Sequence, residues 1–182
     1  MKAINLFHDF KISETLFADL ASMYASQRQF EKVLENVELG LLFSHDCWFL
    51  VYLGVLANYR LGKYQEGIDL YWKNRNKLNE LGLYPRIEML KCLVEMNKLD
   101  SAKSELGQIR LLKFDEDTKS CLLYIEAKIA FKDGRFERCI DLCDQIMLSG
   151  RVFSDWDVDY LKDEAMVANL KKEQLGKLKR AS

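Results

Sequence analysis

Four stretches of this chain repeat one pattern, and that recurrence restricts the fold more than any other feature of the sequence. QRQFEKVLE, LGKYQEGID, MNKLDSAKS and KDGRFERCI each carry a polar turn, then a large apolar residue, then a smaller one three positions later. The large residues are Phe30, Tyr64, Leu99 and Phe136, separated by 34, 35 and 37 positions. The smaller ones are Val33 (the least small), Gly67, Ala102 and Cys139. Four positions further on come Val37, Tyr71, Leu106 and Cys143, and three beyond those Gly40, Asn74, Ile109 and Ile146. Steps of three and four put all of these on one face of a helix. A unit of some three dozen residues cannot bury such a face by itself, so copies must stack and cover one another.

Each unit is expected to be two antiparallel helices joined by a short turn. The small residue lets the second helix approach the first closely. Helices are expected over 14–27 and 30–43, 46–60 and 64–80, 85–96 and 99–111, 116–132 and 135–148, with a last one over 155–179. Asp46, Asp100 and Ser154 suit helix N-caps, Ser154 with Asp157 resembles a capping box, and Pro85 suits a first helical turn. At the turn Asn97-Lys98, asparagine is expected to take the left-handed conformation that glycine supplies elsewhere. The chain thus reads as all-α, a solenoid of about four helix pairs with a C-terminal helix. It is expected to form one array over 1–182, with 1–13 a cap or dimer segment, 14–148 the repeats and 155–179 the last helix. Composition agrees. One proline and nine glycines are too few breakers for an all-β fold, and 49% hydrophobic residues supply a core.

The period is that of the tetratricopeptide repeat, which the chain resembles over roughly residues 14 to 147. In the first unit Phe17, Leu20, Ala21 and Tyr24 are similar to that family's W-x-x-L-G-x-x-Y pattern, with Phe for Trp and Ala for Gly. The chain departs from it in three places. Gly54, in Leu53-Gly54, sits one residue too far from Tyr64. Met89, Leu90 and Leu93 offer no small residue in the third unit. The proline that usually closes each repeat is absent. The resemblance implies a right-handed superhelix and a protein-binding scaffold rather than an enzyme. YRLGKYQEGIDLY, RIEMLKCLVEMNKLDSAKSEL and CLLYIEAKIAFKDGRFERCIDLC look, more narrowly, like the N-terminal region of the tetratricopeptide subunits of the anaphase-promoting complex. That is the ubiquitin ligase of the cell cycle, and its subunits act in mitosis and cell division. This likeness implies a homodimer in which each protomer's groove clasps the other's first helices, with further subunits of a larger complex as partners. That family's chains are longer, with more repeats downstream.

Candidate contact residues follow from unsatisfied apolar surface. Ile4, Phe7 and Phe10 precede the first repeat, where no unit covers them. Phe17, Leu20 and Tyr24 belong to the first helices that the resemblance places in a dimer. DCWFLVYLGVLANY is apolar on nearly all sides, so Trp48, Phe49 and Tyr52 are either sandwiched or part of an interface. Ala18, Ser22, Leu53, Tyr84 and Glu88 stand where chaperone adaptors of the family hold a peptide carboxylate. None offers the required cation or amide, so that clamp is not expected. The readings that compete with a homodimer are a monomeric adaptor for a linear peptide motif and an RNA-binding helical repeat. A net charge of −1 weighs against RNA, and no nucleic-acid partner is expected.

No catalytic or metal chemistry is expected. Five cysteines at 47, 92, 121, 139 and 143 include no C-x-x-C pair and read as free core thiols of a reducing compartment. Cys139 and Cys143 lie one turn apart without further ligands, His8 and His45 being distant in sequence. Asp115-Glu116-Asp117 and Asp155-Trp156-Asp157 read as acidic helix starts. A phosphate loop, a zinc-binding H-E-x-x-H and a nucleophile elbow are all absent. The opening MKAINLFHDFKI is not a secretory signal, and CWFLVYLGVLA is too short to cross a bilayer. The expectation is a cytoplasmic or nuclear protein with no cofactor and no membrane contact.

Overall fold

The computed structural model describes residues 15–43, 48–78, 82–151 and 157–181. The expected segment 1–13 and the proposed caps Asp46 and Ser154 lie outside these residues. Among the described residues all regular structure is helical. The helices are α1 (15–26), α2 (Phe30–Phe43), α3 (Trp48–Arg60), α4 (Tyr64–Asn74) with a 3-10 turn at Arg75–Lys77, and α5 (Leu83–Glu95). Then come α6 (Leu99–Ile109), α7 (Glu116–Lys132), α8 (Phe136–Leu148) and α9 (Val158–Ala181).

These helices fall into two compact units, Met1–Met96 and Asn97–Ser182. The division lies between α5 and α6, the two helices of the third expected pair. Within the first unit, α3 packs on α2, α4 and α5, and α4 packs on α5. Its core joins Ala18 and Ala21 of α1 to Val33 and Val37 of α2 and to Leu50, Leu53 and Ala57 of α3. Within the second unit, α7 packs on α6, α8 and α9, and α8 packs on α9. Its core holds Ala127, Ala130, Cys139, Leu142, Cys143, Ile146, Val158 and Ala165.

Of the sixteen positions picked out by the repeat, the large residues Phe30, Tyr64, Leu99 and Phe136 are half-buried and the twelve that follow them are buried. Val33, Ala102 and Cys139 have no exposed surface, and Gly67 is buried with them. So are Val37, Tyr71, Leu106 and Cys143, and Gly40, Asn74, Ile109 and Ile146. Periodicity therefore identified the inward face of α2, α4, α6 and α8, with the large residue of each helix at its edge.

The turns repeat as closely as the core does. Two residues before each large apolar residue, the backbone is left-handed: Arg28 (φ 57°), Gly62 (72°), Asn97 (58°) and Gly134 (71°). Asn97 does what its sequence position suggested. At Gly62 the amide donates to the carbonyl of Tyr59, and the next amide, on Lys63, donates to that of Asn58. Arg28-Gln29 and Gly134-Arg135 make the same two bonds, to Ala25 and Tyr24 and to Phe131 and Ala130. Two crossed bonds of this kind close a helix with a left-handed residue. The residue that accepts the second role also opens the next helix: Gln29, Lys63, Lys98 and Arg135 take the first carbonyl bonds, from Val33, Gly67, Ala102 and Cys139. Lys63, Lys98 and Arg135 share nearly one conformation, with φ from −93° to −82° and ψ from 60° to 65°.

Two local expectations need correction. Asp100 is not an N-cap but lies in the first turn of α6, which Lys98 opens without any side-chain bond. The left-handed Asn97 sets the backbone into Lys98, whose carbonyl accepts the first bond of α6 from Ala102, and no side chain caps it. The helix expected over 64–80 ends at Asn74. Its side-chain amide donates to the carbonyl of Leu70 at 2.9 Å, and residues 75–77 tighten into the 3-10 turn. Asp115, by contrast, caps α7 as an acidic helix start should, accepting the amide of Thr118 at 2.8 Å.

Candidate functional site

Helix α3 is buried on most of its circumference because three helices surround it. Leu50, Val51, Leu53, Gly54, Val55, Ala57 and Asn58 are all buried. Trp48, Phe49 and Tyr52 occupy its first two turns and stay half-buried. Their rings form a connected set. Trp48 meets Phe49 edge-on at 5.5 Å between centroids, and Phe49 stacks on Tyr52 at 6.1 Å. Tyr84, in the first turn of α5, closes the set, 5.8 Å from Trp48 and 6.4 Å from Tyr52. Ring pairs at such separations and tilts attract one another beyond their shared burial. Tyr84 keeps 41% of its surface exposed.

One turn along α5 from Tyr84 stands Glu88, only 5% exposed. Its Oε1 accepts from Lys91 Nζ at 2.7 Å, while its Oε2 has no hydrogen-bond partner. A buried carboxylate oxygen without a partner is unfavourable, and the Lys91 contact offsets that only in part. Four residues further, burial pushes the Cys92 thiol up to about 12, and the charge of Glu88 adds to the effect. Burial, followed by Glu95 and Cys92, also raises the Tyr64 phenol. This side of the first unit thus combines an aromatic patch with buried negative charge.

The structure brings together three of the nine residues singled out by sequence, Trp48, Phe49 and Tyr52. Phe17 is half-buried and stacks on Phe43 at 5.9 Å. Leu20 is half-buried, and Tyr24 packs on the unit's core with Lys32 Nζ over its ring at 5.1 Å. Ile4, Phe7 and Phe10 lie outside the described residues. Tyr84 is the member that sequence reasoning did not group with the rest. The signal was present, since Tyr84 follows Phe49 by 35 positions, one repeat, as Ala102 follows Gly67.

The second unit holds a cleft of about 610 Å³ between the start of α8 and α9, lined by Arg135, Phe136, Arg138, Asn169, Lys172 and Lys177 among others. Arg135 is paired with Asp133, Arg138 with Glu126, and Lys172 donates to the carbonyl of Gly134. Cations engaged in this way shape a wall more than they await an anion. Cys139 and Cys143 are wholly buried, and the hydrogen bond between them, followed by burial, holds the Cys139 thiol well above its ordinary range. Among the described residues no group of three His, Cys, Asp or Glu side chains is placed to hold a metal, and no helix is long and apolar enough to cross a membrane. No family model matches the chain, and neither a curated protein nor a solved structure matches it.

Proposed function

We propose that the chain is a protein-binding scaffold built from tetratricopeptide-like helix pairs, with the aromatic patch of α3 and α5 as its contact for a partner segment. The observation that carries this reading is the four-ring set of Trp48, Phe49, Tyr52 and Tyr84. Large rings left half-exposed on rigid helices are the kind of anchor that concentrates binding energy at protein interfaces. Three turns that share the same two backbone bonds, and the buried repeat positions within each unit, support this reading, because hairpin units of this kind bury their apolar faces by packing on their neighbours. The role assigned is binding, not catalysis, and a second copy of the chain is one segment the patch could hold, as the likeness to anaphase-promoting-complex subunits implies.

A photo-crosslinking residue at position 84 tests the reading, with one at exposed Asp141 as control. Position 84 is expected to capture one protein reproducibly, and Tyr52→Asp on the same chain to abolish the capture. Equal labelling at 84 and 141, or capture indifferent to Tyr52→Asp, would remove the patch as a binding site. A product joining two copies of this chain would assign the patch to dimerisation.

A further inference from the structure

Helix α9 presents two unlike sides. Val158 and Ala165 are buried and Leu161 packs with them against the second unit's core. Away from that side, Tyr160, Met166, Val167 and Leu170 are exposed by 59%, 45%, 51% and 58%. Tyr160, Val167 and Leu170 follow at steps of seven and three, the spacing of a helix seam. Exposed apolar side chains aligned along one helix mark a docking surface more than scattered ones do.

Charge along the helix is polarised. Asp159, Asp163 and Glu164 lie before Val167, where Lys162 is paired with Asp144, and Lys171, Lys172 and Lys177 lie after it, where Glu173 accepts from Asn169. Asp163 and Lys171 are each four residues from Val167, so both share its side of the helix. A second α9 laid antiparallel across Val167 sets each Asp163 against the partner copy's Lys171, twice by symmetry. Val167 then meets its own counterpart, and the two helix dipoles oppose one another favourably. A parallel arrangement sets acid on acid and base on base. An anionic membrane repels the acidic half.

We propose that the exposed side of α9 is a self-complementary surface on which a second copy of this chain docks antiparallel, centred on Val167. The inference rests on the second unit alone and goes beyond the partner-binding reading of α3 and α5.

Sedimentation equilibrium of the full chain from 1 to 100 µM, with circular dichroism to verify folding, tests it. The native chain is expected to dimerise. Val167→Asp with Leu170→Asp is expected to give a monomer of unchanged helicity. Asp163→Lys or Lys171→Asp alone is expected to weaken the dimer at least tenfold, and the two together to restore it. Val167→Cys, at the symmetry centre, is expected to form an inter-chain disulfide under mild oxidation. A native monomer at 100 µM overturns the proposal. So does a dimer indifferent to all the α9 variants, which returns self-association to the first unit. Failure of the double charge exchange to restore association overturns the antiparallel register. Tyr84→Ala leaves this dimer intact, so loss of the aromatic patch and loss of the α9 surface read out separately.

Discussion

Gly54 of α3 and Glu126 of α7 occupy the same place in two units that fasten their helices by opposite means. They are 72 positions apart, as Gly67 and Cys139 are, and each stands on the middle helix of its neighbours. A Cβ added at Gly54 would meet Leu70 Cδ2 at 2.5 Å and Val37 Cγ1 at 2.9 Å, so side chains of α4 and α2 already fill that space. At Glu126 a side chain reaches outward instead. Its carboxylate binds Arg138 of α8 at 3.0 Å and Arg110 at the end of α6. One register position thus becomes a dry glycine contact in the first unit and an Arg–Glu–Arg clasp in the second. The repeat dictates where helices meet but leaves open the chemistry of the meeting. Both cores mix three alanines with aliphatics and have rings packed against them; the second adds Cys139 and Cys143 and carries the Glu126 ion pairs at its edge.

Substitutions can break or sharpen this contrast. The largest effect is expected where the units agree. Leu50→Ala in α3 and Ile125→Ala in α7 remove side chains 0% and 1% exposed, and each should cost about 2–5 kcal/mol in urea unfolding. A much smaller loss for Ile125→Ala would show that the second core is loosely packed. Gly54→Ala comes next, at about 1–3 kcal/mol from overpacking, since Leu70 must move and Val37 is stiff at its branched carbon. A neutral result would remove the dry contact from the comparison. Glu126→Ala should cost less, below about 1 kcal/mol, because Arg110 and Arg138 are nearly half-exposed. That loss should shrink further at high salt, and a salt-independent loss would point to packing.

The smallest effect concerns pH. Hydrogen bonds from Thr118 hold the Asp115 carboxyl below its ordinary range, with Arg151 adding to this. Its folded form binds a proton less readily than the unfolded form does. The contribution of Asp115 is therefore complete above the ordinary carboxylate range and fades as pH falls through its lowered value. Thermal melts between pH 5 and 3 should show native Tm falling more steeply than that of Asp115→Asn. Parallel curves would mean that the cap does not titrate with folding.

The legible and illegible parts of this molecule differ in how local their causes are. Val33, Gly67, Ala102 and Cys139 could be read as buried because the helix period alone sets their face. Asn97 could be read as left-handed because few residues other than glycine tolerate that backbone. Arg28 could not be, since nothing in its chemistry favours φ of 57° over another conformation. The 3-10 turn after Asn74 was hidden because NRNKLNE continues a helical composition without a breaker. At the candidate site, Trp48, Phe49 and Tyr52 announced themselves as a run. Tyr84 stood alone before Pro85, and only its distance of one period from Phe49 tied it to them.

The tandem turn has one more implication. Its bonds run from backbone to backbone, and the residues Arg28-Gln29, Gly62-Lys63 and Gly134-Arg135 share them despite unlike side chains. Each such junction is an interchangeable coupling. Excising the segment between Gly62 and Gly134 leaves ends that already mate, so a chain of this design can be lengthened or shortened by whole hairpins without inventing a new connector.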